Sequence, residues 1–339
     1  MRLAIAHHDA RILDAIKRIV AAHAGYDIIW IATDGAEAAK KCQKDKPELL
    51  LLDLALPSLD GSRKTNVIMK SCPCSILLLT DSVEANAAKV FEAMGHGALD
   101  AVRVSVEAPT GKLLGERDII KKLATIGKLI GKVEPQGKTP YKVKTANSKL
   151  PTPPLVAIGA STGGPKALSV ILAALPRALG AAVIIIQHLD EQFSRGLAEW
   201  LDSQCGLNVI LADEGGRPKI DTVLVASTND HLILGADLIL HYTEEPRDYP
   251  YRPSVDVFFE SLTRHWPRRD LAVLLTGMGR DGASGLTALR KAGWHTIAQD
   301  EKTSVVYGMP AAAVELGGAT DVLPLERIAP AIMKGLGRK

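Results

Sequence analysis

Short runs of continuous apolar residues recur along this chain, and nearly every one ends in a turn followed by a helix-length segment. A strand buried on both faces reads this way. Strands joined through helices lie parallel, because the helix carries the chain back to the edge where the strand began. In the first hundred residues the runs are 3–7, 27–33, 48–54, 75–80 and 100–104, with helical patterns such as 10–22 and 83–94 between them. Such a series predicts a doubly wound parallel sheet. From Leu155 the pattern resumes at 155–160, 181–188, 222–227, 232–235, 238–242, 271–276 and 296–299. The short pair around Gly235-Ala236-Asp237 reads as a β-hairpin, and the others as a second, mainly parallel α/β sheet.

Between the two patterns the composition changes. Residues 111–149 hold nine lysines and one arginine against Glu116, Asp118 and Glu134, while the whole chain carries only +3. Ile119, Ile120, Leu123, Ile126, Leu129 and Ile130 fall on one helical face, and Pro-, Lys- and Thr-rich text follows as far as Pro154. This predicts a tethered amphipathic helix and a flexible basic linker. The expected organisation is therefore a first domain over 1–105, a linker over 106–154 and a second domain over 155–339. Only one aromatic residue, Tyr141, interleaves the lysines, too few for a platform on which bases stack, so a nucleic-acid partner is not expected. No apolar run approaches the ~18 residues that a membrane span needs, and the start lacks a signal-peptide layout, so a soluble cytoplasmic chain without membrane insertion is expected. Cys42, Cys72, Cys74 and Cys205 contain no C-x-x-C pair and read as reduced thiols.

Three apolar runs of the second domain each end on a polar group. The first ends in Gly159-Ala160-Ser161-Thr162-Gly163-Gly164. Small neighbours let a strand turn sharply into a helix around Ser161 and hold up its hydroxyl as a nucleophile. A phosphate-binding turn would read the same way. The second ends in Gln187-His188, where a histidine can act as general base or simply cap a strand. The third ends in Thr276-Gly277-Met278-Gly279-Arg280-Asp281-Gly282, where Asp281 can orient a histidine or cap the next helix. All three stand at the carboxyl edge of one sheet, where open α/β folds place their ligands. Together they supply what a serine nucleophile requires, a base and an orienting carboxylate. The chain order Ser161, His188, Asp281 differs from the Ser, Asp, His order of α/β-hydrolases. His295 opens its strand and stands at the wrong edge. The Met278 amide is a candidate oxyanion donor. Thr162 is a candidate for positioning the histidine.

The ordered motifs GASTGGP, IIIQH, RPSVD, LLTGMGRDGASGL and GMPAAA resemble those of the chemotaxis-type protein-glutamate methylesterases, the CheB family. The resemblance covers nearly the whole chain. The stretches VFEAMGHGALD and QHLDEQF resemble the Wsp surface-sensing branch, WspF-like. The resemblance implies a flavodoxin-like response-regulator receiver, a linker and an esterase domain. It implies hydrolysis of glutamyl methyl esters on methyl-accepting chemoreceptor cytoplasmic domains with release of methanol, and deamidation of receptor glutamines. Ser161, His188 and Asp281 would form the triad, Met278 would give an oxyanion amide and Thr162 would position His188. Arg252 would lie near the cleft. Tyr251 stands where the family motif has histidine. The esterase needs no cofactor, a CheA-type histidine kinase is the implied partner of the receiver, and a monomer is expected. A non-catalytic docking module of a chemosensory pathway, or a general small-ester hydrolase, are the competing readings.

The receiver departs from its pattern. Asp53 stands at the phosphoacceptor position and Thr80 at the switch hydroxyl. His7 and His8 occupy the acidic pair, Asp9 comes one place late, and Val104 replaces the lysine. Imidazoles are poor Mg²⁺ ligands. The expectation is a degraded Mg²⁺ site, with Asp53 and Asp9 its remaining carboxylates and phosphorylation of Asp53 impaired.

Overall fold

A computed structural model describes residues 1–57, 61–107, 112–130, 152–249 and 251–337. The chain divides into two compact units, Met1–Lys138 and Thr139–Lys339. In the first, β1 (Arg2–Ala6), β2 (Asp27–Ala32), β3 (Leu49–Asp53), β4 (Ser75–Thr80) and β5 (Asp100–Arg103) alternate with α1 (Ala10–Ala21), α2 (Gly35–Lys44), α3 (Gly61–Ser71) and α4 (Val83–Gly95). The strands are parallel in the order β2-β1-β3-β4-β5. β3 is LLLLD, buried at every position. Full burial of a leucine side chain is worth about 1.5–3 kcal/mol, which commits such a run to the middle of the sheet.

The chain then forms a small antiparallel hairpin, β6 (Ser105–Glu107) and β7 (Lys112–Leu114), and α5 (Glu116–Ile130). Here the structure corrects the expectation of a tethered helix inside a 106–154 linker. Leu113, Ile119, Leu123 and Ile126 are buried in the same cluster as Leu3, Ile5, Ile16, Leu49 and Leu51. The apolar face of α5 is thus spent on the core of the first unit, which extends well past residue 105. The Pro- and Lys-rich stretch expected at 131–151 lies outside the described residues.

The second unit contains β8 (Leu155–Ala160), α6 (Gly164–Ala174), β9 (Ala182–Gln187), α7 (Glu191–Gln204), β10 (Asn208–Leu211), β11 (Thr222–Val225), β12 (His231–Leu234), β13 (Leu240–Thr243) and α8 (Val255–His265). It continues with β14 (Leu271–Leu274), α9 (Ala283–Lys291), β15 (His295–Gln299), α10 (Met309–Glu315), β16 (Asp321–Leu323) and α11 (Leu325–Gly335). Seven parallel strands run β10-β11-β9-β8-β14-β15-β16. The β12–β13 hairpin is antiparallel and stands apart from that sheet. From β8 the chain winds outward through β9, then returns to β14 on the other side and winds the opposite way. The switch point lies between β8 and β14, where a crevice opens at the carboxyl ends of the strands. β10 and β16 escape the sequence pattern because they are short edge strands with exposed residues and so lack a continuous apolar run.

Candidate active site

Ser161 is the first residue beyond β8, at the switch point. Its N–H donates to the Thr276 carbonyl (3.1 Å). Its own carbonyl accepts from the Gly164 amide (2.8 Å) and from Gln187 Nε2 (2.9 Å). These bonds tie the end of β8 to the loop after β14 and to the end of β9. Gly163 caps α6 with φ +78°, a left-handed conformation that a side chain would strain. Gly277 permits a close backbone approach, since a Cβ there would lie 2.7 Å from Ser161 Cβ and 2.3 Å from Met309 Sδ. Both glycines are required by the turn that presents the serine.

His188 follows β9. Its Nε2 lies 2.7 Å from Asp281 Oδ2. Asp281 is buried and saturated: Oδ1 accepts from Ser254 Oγ (2.7 Å) and the Asp256 amide (3.0 Å), and Oδ2 also accepts from the Val255 amide (2.7 Å). The donors are the N-cap and first two residues of α8, so the carboxylate sits at a helix N-terminus whose dipole favours negative charge. Burial opposes its ionisation, but the bonds from His188, Ser254 and the Asp256 amide outweigh burial and hold the carboxyl below the usual aspartate range. An ionised carboxylate only accepts, so the imidazole proton stands at Nε2 and the lone pair at Nδ1. His188 Nδ1 is buried and has no hydrogen-bond partner among the described residues. It is the acceptor free to take a proton. Tyr251 stacks on the ring, centroids 4.5 Å apart and planes 4° from parallel. Burial raises the Tyr251 phenol, so it is neutral.

The structure brings His188 and Asp281 into contact and sets Ser161 at the adjacent strand end. Among the described residues no hydrogen bond joins Ser161 Oγ to His188. Thr162 contributes its carbonyl, which accepts from Thr276 Oγ1 (2.9 Å), and no bond from its hydroxyl reaches His188 among the described residues. Met278 lies in the loop beneath, and its amide donates to no protein group among the described residues. Arg252 turns its guanidinium to the Arg247 carbonyl (2.8 Å), not toward the triad. His295 pairs with Asp321 at the opposite strand end. Ser254 and Gln187 were given no role by sequence, although the RPSVD motif contains Ser254, and Tyr251 stood out only as a departure from the motif's histidine.

In the first unit, His8 Nδ1 lies 2.5 Å and His7 Nδ1 3.8 Å from Asp53 Oδ2. Burial lowers the pKa of His7 despite the charge of Asp53. Asp9 does not join them. It is the N-cap of α1 and accepts from the Arg11 amide and guanidinium, which hold its carboxyl down at about 2. The hydroxyl of Thr80 donates to the Ser82 carbonyl (2.9 Å), and Val104 is buried just after β5. One carboxylate beside two imidazoles does not fit the oxygen-only octahedral shell that Mg²⁺ demands.

Fold and site together define a class: a mainly parallel α/β domain with a serine, a histidine and an aspartate at the carboxyl edge of its sheet, joined to a receiver-like α/β unit. A family profile described as CheB methylesterase matches residues 156–332, and one described as response regulator receiver domain matches residues 3–108. The chain is 47% identical over 337 residues, 99% of each chain, to a protein-glutamate methylesterase/protein-glutamine glutaminase of Cupriavidus metallidurans. It is 47% identical to another so named from Mesorhizobium japonicum, covering 100% of this chain and 99% of that one. The CheB methylesterase catalytic domain of Thermotoga maritima, a crystal structure, matches with TM-score 0.52 and 34% identity over 53% of this chain and 97% of that one. The chain belongs to the CheB methylesterase family.

Proposed function

We propose that this chain hydrolyses γ-glutamyl methyl esters on the cytoplasmic helices of methyl-accepting chemoreceptors and deamidates receptor glutamines at the same site. The observation that carries the reading is the His188 Nε2–Asp281 bond beside Ser161, which leaves Nδ1 as a buried base with no partner among the described residues. Ser161 Oγ attacks the ester carbonyl and gives its proton to Nδ1. The oxyanion of the tetrahedral intermediate accepts from the Met278 amide. The C–O bond to methoxide breaks, the imidazolium returns the proton, and methanol leaves. Water then enters, gives a proton to His188 and attacks the acyl-serine, and glutamate is released with Ser161 restored. With a glutamine side chain the leaving group is ammonia. No cofactor takes part in this scheme, and one chain carries every group it uses. The partner of the receiver is a CheA-type histidine kinase, although the pocket at Asp53 does not fit Mg²⁺.

The test is methanol release from receptor carrying radiolabelled methyl groups. Wild type is expected to release label, and Ser161→Ala to lose about 10⁴-fold or more in rate while still binding receptor. Wild type that binds receptor and releases none would make the domain a docking module instead. Equal turnover of short esters without receptor would make it a general ester hydrolase.

A further inference from the structure

The pocket of the receiver unit carries chemistry that the esterase does not use. His7 and His8 follow β1, and Asp53 ends β3, which is paired to β1 in parallel register. The three side chains therefore meet at one edge of the sheet. One ligand atom from each lies within 4.8 Å of the other two. The imidazoles stack, with centroids 5.2 Å apart and planes 9° from parallel; His8 Nδ1 lies 2.5 Å and His7 Nδ1 3.8 Å from the same carboxylate oxygen. His7 and Asp53 are buried and His8 is half exposed, so the cluster is anchored on two sides and open on the third.

We propose that His7, His8 and Asp53 bind one divalent transition-metal ion of the zinc class, at the place where a receiver holds magnesium. Imidazole nitrogen suits zinc, cobalt(II) and nickel, whereas magnesium selects oxygen. Two histidines and one carboxylate give three protein ligands and leave a position for water. Ligands about 2.0–2.2 Å from a tetrahedral ion stand roughly 3.3–3.6 Å apart. The two observed nitrogen–oxygen separations, 2.5 and 3.8 Å, bracket that range. The main adjustment falls on His8, whose exposed ring is free to move outward. His7 Nδ1 now accepts from the Asp9 amide (3.0 Å), and the ion takes that lone pair in exchange for a single hydrogen bond. Asp9 stays with Arg11 and is not a ligand.

Two other clusters could draw metal: the thiols of Cys42, Cys72 and Cys74, and His241 with Glu214 and Asp237. The test separates them. The full chain, treated with chelator and dialysed, is titrated with Co²⁺ alone by visible absorption and with Zn²⁺ alone by calorimetry. The expected result is one equivalent bound, d–d bands of a nitrogen/oxygen site, and no displacement by millimolar Mg²⁺. His8→Ala and Asp53→Asn should each weaken binding about tenfold or more. Cys74→Ser and His241→Ala should leave it unchanged. Far-UV circular dichroism shows that each variant is folded, and Zn²⁺ should raise the melting temperature of wild type but not of His8→Ala. No stoichiometric binding, binding that survives both ligand substitutions, or displacement by Mg²⁺ overturns the proposal. The readout is the metal itself, so the esterase reading stands or falls separately.

Discussion

Tyr251 covers one face of His188, and its ring lies parallel to the imidazole at 4.5 Å. When Nδ1 takes the serine proton, the imidazole becomes a cation against an aromatic face. Such a contact is worth about 1 kcal/mol where partly desolvated. Tyr251→Ala is therefore expected to lower kcat for methanol release about fivefold, and Tyr251→Phe to keep most of it. The two variants differ in the ring, not the hydroxyl, so a Phe variant as impaired as the Ala variant would reject the stacking role. At this scale the sequence is uneven. Ser161, His188 and Asp281 stand out because each ends an apolar strand. Tyr251 and Ser254 do not, because they stand on a loop that reaches the site from nearly a hundred residues beyond β8. Thr162 reads as a positioning residue only from its place beside Ser161, yet its visible bond is made by its carbonyl.

At the scale of elements, the N-terminus of α8 does what no single residue could. Ser254, Val255 and Asp256 together give Asp281 three donors and leave its fourth bond to His188. Asp281→Asn keeps the shape but places a donor where His188 needs an acceptor, which forces the ring into the other tautomer and should cost about 10⁴ in kcat. Asp256 carries the electrostatic cost of the arrangement. Burial and the nearby charge of Asp281 push its carboxyl up to about 7, against bonds from the Gly285 amide and Tyr249 hydroxyl. A carboxyl raised in the folded state binds more protons there than in the unfolded chain, so its contribution to stability falls as pH rises from about 4 through about 7. Asp256→Asn, which stays neutral, is expected to remove that part of the fall. Urea midpoints at pH 5 and pH 8 check it: wild type should lose more between the two than the variant. Elements were legible where one residue pattern decides them, as in β3 or β9. The sequence pattern identified α5 as an amphipathic helix, but not the core it fills. An apolar face says that something must cover it, and only the fold says what.

At the scale of the molecule, the two units have kept different amounts of their chemistry. The esterase unit holds a His–Asp pair at its switch point, whereas the receiver unit keeps Asp53 and Thr80 but carries His7, His8 and Val104 where the receiver pattern has an acidic pair and a lysine. Phosphoryl transfer is carried by positioning and by a metal that neutralises the developing charge. Here His7 and His8 occupy the place of the acidic pair, and His8 Nδ1 lies 2.5 Å from one carboxylate oxygen of Asp53. Val104 is buried and apolar at the position where the receiver pattern has lysine, and the Thr80 hydroxyl is engaged by the Ser82 carbonyl and Asn86. The histidine pair and Val104 each replace a separate interaction, so raising the magnesium concentration alone is not expected to compensate for both. The full chain is therefore expected to release methanol from methylated receptor at the same rate, within about twofold, with or without acetyl phosphate or beryllofluoride in millimolar Mg²⁺. His7→Glu with His8→Asp rebuilds the acidic pair, and it should admit Mg²⁺ and yield detectable phosphate on Asp53. The rate of methanol release, followed in parallel with protein-bound phosphate, decides the matter: a several-fold acceleration of the wild-type chain by either reagent would mean that Asp53 is still a working phosphoacceptor despite its two histidines.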